Sequence, residues 1–204
     1  MSKYTFKISN IYYPNTSFSK NKLGIKNEDE LRKIEHLLLL ESYEKFARKL
    51  NVELDENFFK NLHKKTFQDL YEWAGVYRDV DIAKGDTLFC RGMYVAQEMK
   101  KIFSELKKDN YLKNLNKESF VNKLAYYKCE LIAIHPFFEL NGRIIRLFID
   151  ILSINAGYDV IDYSNISEDE YIKCAIECVQ NANYDCFKKN DKSKLAPSIK
   201  LCKS

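Results

Sequence analysis

The stretch that decides the fold is IAIHPFFELNGRIIRLF, residues 132–148. It completes NKESFVNKLAYYKCELIAI (116–134), whose Asn-x-x-Ser start and apolar spacing predict a helix. Pro136 has no amide hydrogen and restricts the residue before it, so that helix must stop at about Ile134. A new helix begins at Asn141 or Gly142 and runs to Ala156. Ile144, Ile145, Leu147, Phe148, Ile149, Ile151, Leu152 and Ile154 leave it apolar almost all round, as in a central, buried helix. Such a helix needs other helices to wrap it.

The rest of the chain supplies them. Residues 27–50 open on Asn27 and three acids, which suit a positive helix end, and continue with Leu31, Ile34, Leu38, Phe46 and Leu50 in a broad apolar stripe. Residues 55–73 form a second helix capped by Asp55, with Phe58, Phe59, Leu62, Phe67 and Leu70 inward. Further helices are predicted over 94–108 and, behind the cap Ser167, over 167–182. One region breaks the helical period. Residues 75–92 place Val76, Val80, Ile82 and Leu88 among polar residues around Lys84-Gly85-Asp86, the pattern of a short β-hairpin. The fold class is therefore all-α: a helical bundle core with one short hairpin resting on it.

Composition narrows the function. The chain has 204 residues and a net charge of +4, too mild for the concentrated basic face of a nucleic-acid binder. No apolar run approaches the roughly 20 residues that span a bilayer. MSKYTFKISN lacks the apolar centre of a signal peptide, so the six cysteines are expected to be reduced thiols in the cytoplasm. Cys174 and Cys178 lie one turn apart and read as a half-buried helix face rather than half a metal site.

The chemistry gathers in residues 135–146. A helix N-terminus at Asn141-Gly142 offers unpaired amides and partial positive charge, which is a ready anion site. Arg143 and Arg146 share a face with Asp150 and can hold a polyphosphate by forked hydrogen bonds. Glu139 is a hard carboxylate beside that anion site, the kind of ligand Mg²⁺ uses together with phosphate oxygens. His135 is the side chain of the stretch that takes a proton near neutral pH. Each residue alone has an ordinary reading: a helix-end histidine, a loop acid, a solvated arginine face. Their convergence on an apolar helix pair favours a site, because buried arginines without partners cost several kcal/mol each, on the order of a broken ion pair.

HPFFELNGRIIR closely resembles the signature of the Fic family, His-Pro-Phe-x-(Asp/Glu)-Gly-Asn-(Gly/Lys)-Arg-x-x-Arg, and WAGVYRDVDIAKGDTLF resembles that family's lead-in and flap. The resemblance implies a Fic fold over residues 21–187, an N-terminal extension over 1–20 and a flexible tail over 188–204. It implies a protein adenylyltransferase that moves AMP from ATP to a protein hydroxyl. His135 would then be the base, Glu139 the Mg²⁺ ligand, and Leu140, Asn141, Gly142, Arg143 and Arg146 the nucleotide site. Lys84, Gly85, Asp86 and Thr87 of the flap would dock the target as an added strand. Toxin-like relatives point by analogy to a topoisomerase subunit as target.

Two departures stand out. Leu140 replaces a usual Gly, where a Cβ disfavours positive φ and crowds the phosphates. No inhibitory (Ser/Thr)-x-x-x-Glu-(Gly/Asn) helix is found; Ser164 to Glu168 has the spacing, but Ser167 reads as a helix cap. Restraint is therefore expected from a separate small helical antitoxin that supplies a Glu to Arg146, or not at all. Transfer of another phosphate-containing group and a degenerate peptide-binding module remain the alternatives. His36 and His63 read as half-exposed structural residues, and Tyr171, Asn181 and Asn183 as residues near the adenine if the last helix packs beside the motif, with core packing the simpler role for Tyr171.

Overall fold

A computed structural model describes residues 4–6, 11–14, 16, 18–46, 52–164 and 166–192, with the side chains of 4–6 and 189–192 excepted. Two helices form its axis: α4 (Lys117–Ile134) and α5 (Asn141–Asn155). Of the apolar residues named above, Ile144, Ile145, Leu147, Phe148, Ile149, Ile151 and Leu152 are shut away from solvent, and Ile154 is half-buried at the far end of the helix. Around this pair pack α1 (Glu28–Phe46), α2 (Glu56–Phe67), α3 (Val95–Lys108), α6 (Glu168–Asn181) and α7 (Asp185–Lys192). Phe59 of α2 and Phe103 of α3 meet Phe148 of α5 edge-on, at 5.2 and 5.5 Å between ring centroids. Among the described residues no helix is long and apolar enough to cross a membrane.

Local chemistry sets the helix starts. Asp55 accepts from the Phe58 amide, Asn116 from the Ser119 amide, and Ser167 and Glu170 form a reciprocal capping box. The stops are less local. Helix α2 ends at Phe67, not at residue 73, and turns carry Leu70, Tyr71 and Ala74 into the same core. Their apolar spacing imitates another helical turn. Residues 47–50 of the first expected helix and 193–204 of the expected tail lie outside the described residues. Residues 188–192 of that tail belong to α7.

The hairpin is shorter than its pattern. Strands β2 (Ile82–Lys84) and β3 (Thr87–Leu88) enclose a two-residue turn at Gly85-Asp86, where Gly85 takes a left-handed φ of 57°. Ile82 and Thr87 face inward, whereas Val76 and Leu88 are exposed, so the expected alternation does not hold across the whole segment. A third strand, β1 (Tyr4–Phe6), pairs antiparallel with β2, Tyr4 opposite Lys84 and Phe6 opposite Ile82. Packing of α6 on α4 and the return into α7 join Cys129 to Cys178 and Cys174 to Cys186 as disulfides, in place of the expected reduced thiols. That pairing is long-range, with separations of 49 and 12 residues, and local spacing does not signal it.

Candidate active site

The loop between α4 and α5 is bounded by two left-handed residues, His135 at φ 50° and Leu140 at φ 65°. Neither is glycine, and such backbone costs about 1–3 kcal/mol wherever packing enforces it. The left-handed turn is complete at Leu140, and Asn141 is already helical. The buried Leu140 side chain joins the hydrophobic core while also bordering the cleft described below. Burial of its isobutyl group offsets the strained backbone. Gly142 has open space where a Cβ would project, so a ligand can come close to the first turn of α5. No side chain caps that helix end.

Asn141 does something the sequence did not suggest. Its Oδ1 accepts from the Phe137 amide at 2.7 Å and its Nδ2 donates to the Phe137 carbonyl at 2.8 Å, stapling the loop shut. His63 braces the same loop from α2. It is fully buried, which corrects the half-exposed surface residue expected from its lysine neighbours. Helix α2 buries Phe59, Leu62, Thr66 and Phe67 on the same inner stripe, and His63 belongs to it.

His135 lies 7% exposed with its ring stacked on Phe89 at 3.9 Å. Its Nδ1 sits 3.0 Å from the Ile132 carbonyl. A carbonyl only accepts, so Nδ1 carries the hydrogen and Nε2 the lone pair. Arg78 holds the residue by its backbone: the buried guanidinium donates to the carbonyls of His135, Ile134, Val80 and Cys90 at 2.8, 2.8, 2.6 and 2.5 Å. The roots of the hairpin are tied to the loop as well, Arg78 N donating to the Pro136 carbonyl and Cys90 N to the Ala133 carbonyl.

The arginines of α5 are oriented by residues far away in sequence. Arg143 pairs with Glu35 of α1 at 2.9 Å, and Tyr71 donates to the other oxygen of Glu35. Arg146 lies over the Tyr171 ring of α6, 5.0 Å from its centroid. Asp150, on the same face, accepts from the Ile161 amide and the Tyr43 hydroxyl. Glu139 accepts from the hydroxyl of Tyr12 at 2.5 Å, so the segment before residue 20 reaches the site.

Lys84, Gly85, Asp86, Thr87, His135, Glu139, Leu140, Asn141, Gly142, Arg143 and Arg146 all line one cleft of about 960 Å³, within the range of small-ligand sites. Tyr171 lines it too, whereas Asn181 and Asn183 are exposed and donate to Glu177 instead. Glu168 borders the cleft, and Ser167 is the cap that its spacing suggested.

Burial dominates the electrostatics. It lowers the pKa of both His135 and His63 to about 3, with Arg78 and Lys84 adding to the effect at His135. It raises that of Asp150 to about 6, against the opposing Ile161 amide and Tyr43 hydroxyl. Between about pH 6 and 4 the unfolded chain therefore protonates both imidazoles, and the folded chain protonates Asp150 instead. The unfolded state binds the net extra proton, so stability falls as pH falls. We expect a loss of about 1.4 kcal/mol per pH unit across that window, read from urea midpoints. A flat or rising profile would contradict these environments.

The sequence profile of the Fic/DOC family matches residues 53–153. The chain is 34% identical over 154 residues to the "Probable protein adenylyltransferase Fic" of Escherichia coli, which covers 72% of this chain and 74% of that protein. It is 35% identical over 165 residues to the "Protein adenylyltransferase VbhT" of Bartonella schoenbuchensis, covering 80% of this chain but 34% of that protein, so it spans about a third of VbhT. Among solved structures, the BepC protein of Bartonella tribocorum with bound AMPPNP superposes with a TM-score of 0.83 at 26% identity, over 93% of this chain and 98% of that one. The N-terminal Fic domain of a Bartonella quintana effector with bound ADP gives 0.82 at 28% identity, over 93% and 95%.

Proposed function

The chain belongs to the Fic/DOC family, and from that membership we propose that it transfers AMP from ATP to a hydroxyl side chain of a target protein, releasing pyrophosphate. The observation that carries the proposal is the meeting, in one cleft, of the His135 imidazole with an uncapped helix end and two arginines. The Nε2 lone pair of His135 takes the proton of the target hydroxyl. The oxygen attacks the α-phosphorus, the bond from that phosphorus to the bridging oxygen breaks, and pyrophosphate departs with the electron pair. Arg143 and Arg146 hold the β- and γ-phosphates, and the amides of Asn141 and Gly142 receive the remaining charge. Glu139 fits Mg²⁺: a single carboxylate beside an anion site is the donor set that this ion completes with substrate oxygens and water. Bound there, the ion would offset phosphate charge.

The flap residues Lys84 to Thr87 receive the target segment, and a topoisomerase subunit is the first target to test, by analogy. Restraint comes from a small helical protein, an antitoxin, whose Glu engages Arg146. The setting is the bacterial cytoplasm. Incubating the chain with Mg²⁺, a bacterial lysate and ATP labelled at either the α- or the γ-phosphate tests the reading. Protein labelled from the α-phosphate alone is the expected result. Label from the γ-phosphate alone would make the chain a kinase-like transferase. No label and no ATP binding would leave a peptide-binding module.

A further inference from the structure

We infer that His63, a residue outside the motif, positions Glu139 and the loop that presents it. The ring is buried on α2 and bridges two segments distant in sequence. Its Nε2 lies 3.2 Å from the Glu139 carbonyl oxygen, and its Nδ1 accepts from the Gly75 amide at 2.9 Å. Because a carbonyl only accepts, Nε2 carries the hydrogen and Nδ1 the lone pair, a tautomer that satisfies both partners at once. It is the opposite tautomer to that of His135. The ring also stacks on Phe137 at 3.8 Å, so the loop is held both by hydrogen bond and by face.

The two anchored positions are the ones that matter for the cleft. Gly75 sits at φ 78°, and a Cβ there would meet the Cβ of Lys64 at 2.6 Å, so this backbone is packed directly on α2. From Gly75 the chain runs to Arg78 and the hairpin. Glu139 lies between the stapled Phe137 and the strained Leu140, where a shift of its peptide plane would redirect both its carboxylate and the following amides. His63 thereby sets the flap root and the carboxylate loop at a fixed separation. It touches neither substrate nor reacting atoms, so it is a positioning residue.

The activity arm of the test rests on the proposed adenylyl transfer; the other arms do not. Three variants divide the ring's roles. His63→Gln places an amide nitrogen near the position of Nε2 and keeps the donor to Glu139. His63→Asn can retain only the acceptor toward Gly75. His63→Phe keeps the ring without either hydrogen bond. Hydrogen exchange over residues 137–143 of the unliganded chain is expected to rise about tenfold or more in the Asn and Phe variants and to stay near wild type in the Gln variant. Mn²⁺ binding in the presence of AMPPNP, followed by electron paramagnetic resonance, should weaken about tenfold in the same two, a loss of the size seen when a supporting partner is removed. AMP transfer should fall mainly in kcat, with Gln restoring most of it.

Equal losses in all three variants would overturn the inference, since packing would then be the whole role. So would an Asn variant whose exchange and Mn²⁺ affinity match wild type. Should the Asn and Phe variants fail to fold, the Gln variant decides: protected amides and retained Mn²⁺ binding support the inference, and their loss in a folded chain overturns it. A wild type that transfers no AMP sinks the proposed function but leaves the exchange and Mn²⁺ arms to decide the role of His63.

Discussion

Replacing His135 with alanine is expected to lower AMP transfer from α-labelled ATP by a hundredfold or more while nucleotide binding survives. General-base catalysis contributes about 10²–10⁴ in rate, and the imidazole is well prepared for it. The Nδ1–H bond to the Ile132 carbonyl fixes the tautomer, stacking on Phe89 fixes the ring plane, and burial keeps the ring neutral far below ordinary histidine pH. Gly142, Arg143 and Arg146, the residues proposed to hold the phosphates, lie on α5, whereas His135 follows the end of α4, which is why affinity and rate should separate. The measurement pairs a transfer assay with calorimetric titration of AMPPNP. Retention of more than a tenth of the wild-type rate would deny His135 the base role. Loss of nucleotide binding with the fold intact would point to a structural role instead.

The second large effect is on the fold. Arg78→Met is expected to destabilise the chain by about 3–5 kcal/mol, the range for breaking a buried charged network. Arg78 is 1% exposed and serves four carbonyls, and methionine fills similar volume with no donor. Each orphaned carbonyl costs about 1–3 kcal/mol, partly offset by no longer burying a charge. Against a typical total of about 5–15 kcal/mol this is a large share. Arg78→Lys should recover little, because one ammonium cannot reproduce a planar fork aimed at acceptors on two sides. Urea denaturation reads the effect, and an unfolding free energy within about 0.5 kcal/mol of wild type, the size of a neutral surface change, would refute it.

Much of the architecture could be read in advance because it is local. Caps such as Asp55, Asn116 and Ser167 act within three residues, and the encircling isoleucines of α5 declare a central helix without reference to the rest. The motif residues are likewise adjacent in sequence and line a common cleft. Their supports are not local. Glu35 lies 108 residues from Arg143, Arg78 lies 57 from His135, and Tyr12 lies 127 from Glu139. Nothing in the pattern around a lone tyrosine or arginine announces such a partner. His63 misled for a related reason: Lys64 and Lys65 point outward, and one step around a helix reverses exposure. The β1 strand and α7 escaped because three residues and eight residues are too few to show a period.

For the proposed docking of a target segment at the flap, the place of Tyr4–Phe6 bears on how acceptors would be chosen. Those residues already occupy the outer border of Ile82–Lys84, so an incoming polypeptide that pairs there must evict them first. The trade is ladder for ladder, and main-chain bonding contributes little net affinity to it. Selectivity must then come from what the newcomer's side chains find around Lys84 and Asp86, and a chain relieved of its first residues should become less discriminating.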